Sequence, residues 1–405
     1  MELHVKARAA IGQRFIDLFS VDDCSMADFL SKALSQEYRD LVDQVRRYTG
    51  NWIQRIDLNA GLYSRIVQPI LDSARAADVR VPFRISLSRQ QTAAVADELL
   101  DWIESLPCSY DYFFPLPALG SFGQSMLEIG RRVALLDVSE SNERHGGFLV
   151  VAAQQYAAAS EAERSVMLLR DCRYIRIRAE GYHFLGAMSE SAPASAFSML
   201  RRVLVLGECA GVFRVVMRPE KAHQQVPLLS PTDTGLCGMT TLPRAVAEQI
   251  ARYEFTVREA GEEEDRDEKL RAVTRALDSP HDTPGLANLF TAAEWLFDAE
   301  AENNQTISFI QTCIAFEALL GDQLEQEDRG VTASLADRLA FLLGRGVAER
   351  DEIRAKFKQY YRERSKIVHG RAAQLSDDAA DLHYWGRCVL RRALASEMNA
   401  LPGPL

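Results

Sequence analysis

The feature that most constrains the fold is a change in apolar spacing near residue 265. Beyond it, apolar residues recur at helical spacing to the end of the chain, and no strand pattern occurs. Pro280 and the Asn303–Asn304 pair are expected to interrupt the helices, the second within a long pattern from 286 to 320. Further helices are predicted at 334–344, 348–369 and 377–401. Several helices with short connections predict an all-α bundle for residues 266–405.

The preceding residues mix helix and strand patterns. Residues 1–75 are predicted to form a helical segment that includes one long helix from Ser25, and residues 76–265 an α+β domain that senses a trigger or selects a target. Ser88 is expected to cap a helix, and Ser160 with Glu163 to form a capping box. Strands are predicted at 79–87, 110–114, 133–138, 148–152 and 212–217, with a hairpin of 174–178 and 182–185 through Glu180-Gly181.

Composition limits the class of protein. Hydrophobic residues make up 47% of the chain and charged residues 26%, which is typical of folded domains and not of disordered segments. The apolar stretch 307–320 contains Gln311 and Glu317, so it is too short and too polar to cross a bilayer. The first fifteen residues lack the apolar core of a signal peptide, and the seven cysteines form no C-x-x-C pair. We therefore expect a cytoplasmic protein with reduced cysteines and with neither a metal site nor a cofactor.

Charge is distributed unevenly. The 405 residues carry a formal net charge of -10, which opposes contact with nucleic acid. Residues 354–371, however, contain seven basic residues and one acidic residue, a net charge of +6. Such a cluster is typical of a phosphate-binding surface, although it is also compatible with a solvated helix face. The residues predicted to bind RNA are Arg354, Lys356, Lys358, Tyr361, Arg362, Lys366 and Arg371, with the tyrosine stacking on a base.

Two residues in this cluster suit phosphodiester cleavage. The imidazole of a histidine such as His369 can both accept and donate a proton, whereas the guanidinium of Arg364 can stabilise charge on a phosphate. Five residues along a helix correspond to a rotation of about 140° and a rise of about 7.5 Å, so one regular helix does not aim both groups at one point. Either the helix ends irregularly at Gly370, or two copies of the motif meet across a two-fold dimer.

The string Tyr361 to Gly370, YRERSKIVHG, resembles the R-x(4–6)-H signature of HEPN-superfamily ribonucleases, and of the Apea-like HEPN family in particular. The segments IAFEALL at 314–320 and LADRLAFLL at 335–343 are similar to that family's preceding helices, so the resemblance covers about 130 residues, from near 270 to 400. Ser365 stands where the family often has asparagine, which leaves that polar role undetermined.

The resemblance implies a HEPN-like helical bundle that forms a homodimer with one composite, metal-independent ribonuclease site. By the same resemblance His369 is the catalytic acid or base, Arg364 binds phosphate, and Glu317 orients Arg364 or forms a structural salt bridge with it. The family also implies a toxin or antiphage defence effector. The alternative function is a HEPN module that binds RNA or a nucleotide without cleaving it. The predicted fold class is therefore an α+β N-terminal region followed by an all-α bundle.

Overall fold

The computed structural model describes residues 3–32, 35–48, 84–116, 126–137, 173–183, 191–216, 222–229, 236–256, 263–321, 331–370 and 374–402. The chain forms two compact units, one of residues 1–110 with 180–194 and the other of residues 111–179 with 195–405. The boundaries of these units differ from those of the three predicted segments, 1–75, 76–265 and 266–405. The separate roles of these segments stay predictions. The predicted strand at 148–152, the capping box at 160–163 and Arg371 lie outside the described residues.

The first unit contains helices around an aromatic core. Its elements are α1 (Val5–Phe19), β1 (Val21–Ser25), α2 (Met26–Lys32), α3 (Gln36–Tyr48), β2 (Arg84–Leu87) and α4 (Arg89–Ser105). Phe15, Phe19 and Phe29 are fully buried in this core. A helix does begin after Ser25, which ends a strand paired antiparallel with β2, but the prediction of one long helix is wrong, because α2 ends at Lys32 and α3 begins at Gln36. The predicted cap at Ser88 is confirmed: its side chain accepts from the backbone N–H of Gln91, and the Gln91 side chain accepts from that of Ser88.

A six-stranded sheet follows, and its strands are β3 (Cys108–Leu116), β4 (Met126–Glu128), β5 (Val133–Asp137), β6 (Arg173–Gly181), β8 (Gln225–Leu229) and β9 (Leu236–Thr241). Across the sheet the strands lie in the order β4-β5-β6-β3-β8-β9. The predicted hairpin through Glu180-Gly181 is wrong: both residues continue β6, which pairs antiparallel with β5. Tyr182 is buried directly after the strand. The dipeptide therefore ends a strand in the sheet rather than turning the chain.

Within the second unit, the part of helix α5 after residue 194 and a small ribbon pack against the C-terminal helices. These elements are α5 (Ser191–Ala210), β7 (Phe213–Val215), α6 (Arg244–Ile250) and β10 (Tyr253–Phe255). Arg201 on α5 binds Asp298 at 2.6 Å and Glu294 at 2.8 Å. Arg391 lies between Glu208 and Glu300 and forms ion pairs with both. Partly buried ion pairs thus join α5 to the helices that follow residue 265.

The region after residue 262 is helical throughout its described part. It comprises α7 (Glu263–Asp278), α8 (Leu286–Ala301), α9 (Gln305–Leu320), α10 (Val331–Leu343), α11 (Val347–Val368) and α12 (Asp377–Ala400). The predicted break at Asn304 is confirmed, because its side chain caps α9 by accepting from the N–H groups of Thr306 and Ile307. The coarse fold class, an α+β region followed by helices, is confirmed as well. Among the described residues no helix is long and apolar enough to cross a membrane.

Candidate active site

Helix α11 carries the candidate residues, and its apolar side holds it against α9. Phe357 and Tyr360 on this side are fully buried, and the Tyr360 ring stacks on Phe309 of α9 with 4.4 Å between centroids. Arg364 lies one turn beyond Tyr360 and therefore faces the same neighbour. The burial of two aromatic rings thus decides which way the arginine points.

Arg364 meets the predicted partner on α9. Its Nη2 lies 3.3 Å from Oε1 of Glu317, and the two side chains are 35% and 36% exposed. Nε of Arg364 is buried and makes no hydrogen bond to the part of the chain that the structure describes. The carboxylate thus holds one edge of the guanidinium, while a third of the side chain stays open to a ligand such as phosphate.

Tyr361 occupies a different position from the one its predicted role requires. Its side chain is only 6% exposed, and its hydroxyl lies 3.4 Å from both the Cys313 carbonyl oxygen and Oε1 of Glu317. Burial raises the pKa of this phenol, so it remains a donor near neutral pH. A ring enclosed in this way cannot stack on a base, so the tyrosine instead supports the carboxylate that holds Arg364.

His369 marks the end of α11. Its backbone N–H still donates to the Ser365 carbonyl at 3.1 Å, so the helix is regular up to this residue. Gly370 follows with φ +69°, a left-handed conformation that glycine adopts without strain. The irregular helix end offered as one way to bring Arg364 and His369 together is therefore not observed. The His369 side chain is exposed, about 140° around the helix from Arg364.

The other predicted RNA-binding residues differ in their surroundings. Arg354 forms ion pairs with Asp337 at 2.6 Å and Asp351 at 2.9 Å, which neutralise its charge. Lys366 pairs with Glu363 at 2.7 Å, and Nζ of Lys356 lies 5.3 Å from the centre of the Trp385 ring. Asp337 and Trp385, which contact Arg354 and Lys356, lie on other helices. No spacing pattern in the sequence links them to α11, so these contacts could not be predicted from the sequence.

Lys358 and Arg362 remain available to a ligand. Both are exposed, and neither has an acidic partner among the described residues. They line a cleft of about 430 Å³ between α10 and α11, whose other lining residues are Val331, Thr332, Ala333, Tyr361 and Ser365. Within the described ranges, no group of three or more His, Cys, Asp or Glu residues is placed to hold a metal ion.

The chain matches no protein-family model, and no curated protein or solved structure shows significant similarity to it. The resemblance to HEPN ribonucleases therefore depends on the sequence motifs alone.

Proposed function

We propose that this protein is a metal-independent endoribonuclease of HEPN type. Arg364 and His369 act as the catalytic pair, and Glu317 is the residue that positions Arg364. The observation that carries the proposal is the contact between Arg364 on α11 and Glu317 on α9. The exposed end of α11 also presents His369. The net charge of +6 over residues 354–371 supports RNA as the substrate.

The chemistry needs only a proton acceptor, a proton donor and charge stabilisation. The neutral imidazole of His369 removes the proton of the RNA 2′-hydroxyl, and this oxygen attacks the adjacent phosphorus. Arg364 stabilises the additional negative charge on the phosphorane. The bond between phosphorus and the 5′-oxygen then breaks, and this oxygen takes a proton from the protonated imidazole of His369. The products are a 2′,3′-cyclic phosphate and a 5′-hydroxyl end.

A homodimer would reconcile this chemistry with the angle between the two residues. Because α11 is regular up to His369, a single copy directs its arginine and histidine to different sides. Two copies related by a two-fold axis can place the arginine of one beside the histidine of the other. Sedimentation at micromolar concentration should therefore detect a dimer, and a monomer that cleaves RNA at full rate would contradict this step.

The test of catalysis compares the wild type with His369→Ala on single-stranded RNA in the presence of EDTA. The substitution should lower kcat by about 10²–10⁴-fold, the range for a lost general acid or base. His281→Ala is the matched control, because His281 is an exposed histidine in the turn after α7. Cleavage by His369→Ala at the wild-type rate, or loss of wild-type activity in EDTA, would overturn the proposal.

The biological role follows from the family resemblance alone. Cleavage of host RNA would stop phage growth, so we propose that the protein is a cytoplasmic toxin or defence effector. The residues before 265 would then receive the trigger, either a ligand or a protein. Sequencing of RNA ends from cells that express wild type or His369→Ala would identify the target.

A further inference from the structure

One side of α11 forms a continuous polar stripe that leads to His369. At 100° per residue, Lys358, Arg362, Ser365 and His369 lie within about 60° of one another around the helix. Arg364 lies about 120° from Lys358, on the side that faces α9. The structure therefore separates the candidate residues of α11 into two groups, one beside Glu317 and the other along the cleft.

The charge of this cleft comes from two residues. Arg354 lies on the same side of α11, but Asp337 and Asp351 neutralise it. Among the described residues, Lys358 and Arg362 have no acidic partner, and no acidic side chain of these residues lines the cleft. Thr332 and Ser365 also line the cleft, and hydroxyl groups of this kind can donate hydrogen bonds to phosphate oxygens. The cleft therefore has the chemistry of a site for a phosphodiester.

Size and position agree with this chemistry. A volume of about 430 Å³ lies within the roughly 300–1,000 Å³ range of small-ligand sites and is sufficient for one nucleotide unit. Tyr361 lines the cleft, and its hydroxyl contacts the Glu317 carboxylate that holds Arg364. The cleft is thus connected through one buried side chain to the proposed catalytic arginine.

We infer that the cleft between α10 and α11 binds a phosphodiester of single-stranded RNA through Lys358 and Arg362. The strand continues from there along α11 towards His369. The inference depends on the proposed function in taking RNA as the ligand, and it identifies a binding site that is distinct from the catalytic pair. A free mononucleotide presents similar phosphate chemistry, so the experiment compares the two.

The experiment measures binding of a fluorescent single-stranded RNA by anisotropy at several salt concentrations. The RNA carries 2′-O-methyl groups, so cleavage through the 2′-hydroxyl cannot occur. The full chain is compared with Lys358→Gln/Arg362→Gln and with the charge reversal Lys358→Glu/Arg362→Glu. Arg345→Glu is the control, because Arg345 is an exposed arginine in the turn between the same two helices. Thermal melting establishes that each variant is folded.

The neutral double variant should weaken binding by about ten-fold or more, and the charge reversal should weaken it further. The slope of log affinity against log salt should decrease by about 1.4, since each phosphate contact on a single strand contributes about 0.7. Arg345→Glu should bind within about two-fold of wild type, and AMP should compete only at far higher concentration than the oligonucleotide.

Wild-type affinity and slope in both double variants would overturn the inference. Competition by AMP or ATP at the concentration of the oligonucleotide would also overturn it, because the cleft would then be a mononucleotide site. Because the methylated RNA is not cleaved, these results are independent of catalysis. If the protein cleaves ordinary RNA but the double variants bind RNA as the wild type does, only the inference about the cleft is rejected. If the double variants lose RNA binding but the wild type does not cleave RNA, only the proposed ribonuclease activity is rejected.

Discussion

The contact between Glu317 and Arg364 allows two interpretations that a single substitution separates. Glu317→Gln keeps the shape of the side chain and removes its charge. Both partners are about a third exposed, and pairs of this kind contribute about 0.2–1 kcal/mol to stability. Tyr361 can still donate to the Cys313 carbonyl after the change. The free energy of unfolding should therefore fall by less than about 1 kcal/mol.

The effect on cleavage should be larger if Glu317 positions the arginine. Without the carboxylate, the guanidinium samples several rotamers and loses its fixed direction towards the phosphate. A loss of 10–100-fold in kcat corresponds to about 1.4–2.7 kcal/mol of transition-state stabilisation. The assay measures initial rates over a range of RNA concentrations, so that kcat and KM are separated. A positioning role predicts a fall in kcat with KM nearly unchanged.

Glu363→Gln is the matched control. It removes an ion pair of 2.7 Å to Lys366 on the same helix, next to Arg364 in sequence. This variant should keep its stability and its kcat within about two-fold, because surface pairs contribute little. If Glu317→Gln retains the wild-type kcat while its melting temperature falls, Glu317 forms a structural salt bridge only, and the positioning argument is refuted.

Three further predictions concern stability. Gly370→Ala should lower the free energy of unfolding by about 1 kcal/mol in urea titrations, because the φ angle of Gly370 is +69°. Gly370→Asn should lower it by less. Equal stability of the wild type and both variants would contradict the role of Gly370 in ending α11. Burial, with the charge of Glu300, raises the pKa of Glu208 from 4.5 to about 7. The protonated form of Glu208 therefore stabilises the fold fully below pH 4.5, and this stabilisation is lost as the pH rises through 7. Measured at several pH values, the free energy of unfolding should show this loss in the wild type and not in Glu208→Gln. Burial lowers the pKa of His383 from 6.5 to about 4, so the free energy of unfolding should fall as the pH drops from 6.5 towards 4. If His383→Asn loses stability with falling pH as steeply as the wild type does, this histidine is not the cause.

Local patterns predicted the helical region well. The break at Asn304 and the bounds of α10, α11 and α12 agree with the sequence to within a few residues, since caps and apolar spacing act over short distances. The strands were harder, because their pairing depends on residues far apart in the chain. Glu180-Gly181 resembles a turn locally, yet both residues continue β6, a strand that lies between β5 and β3 in the six-stranded sheet.

The sequence by itself predicted the candidate residues of the site: Arg364, His369, the Glu317 carboxylate and the basic cluster of α11. Only the tertiary structure decided their surroundings. Burial of Tyr361 replaced base stacking with support of Glu317, and Asp337 on α10 neutralised Arg354. Both outcomes depend on which helices are neighbours. Spacing along one helix fixes the direction of a side chain but not the group it meets, so the cleft beside Lys358 and Arg362 could be recognised only in the folded chain.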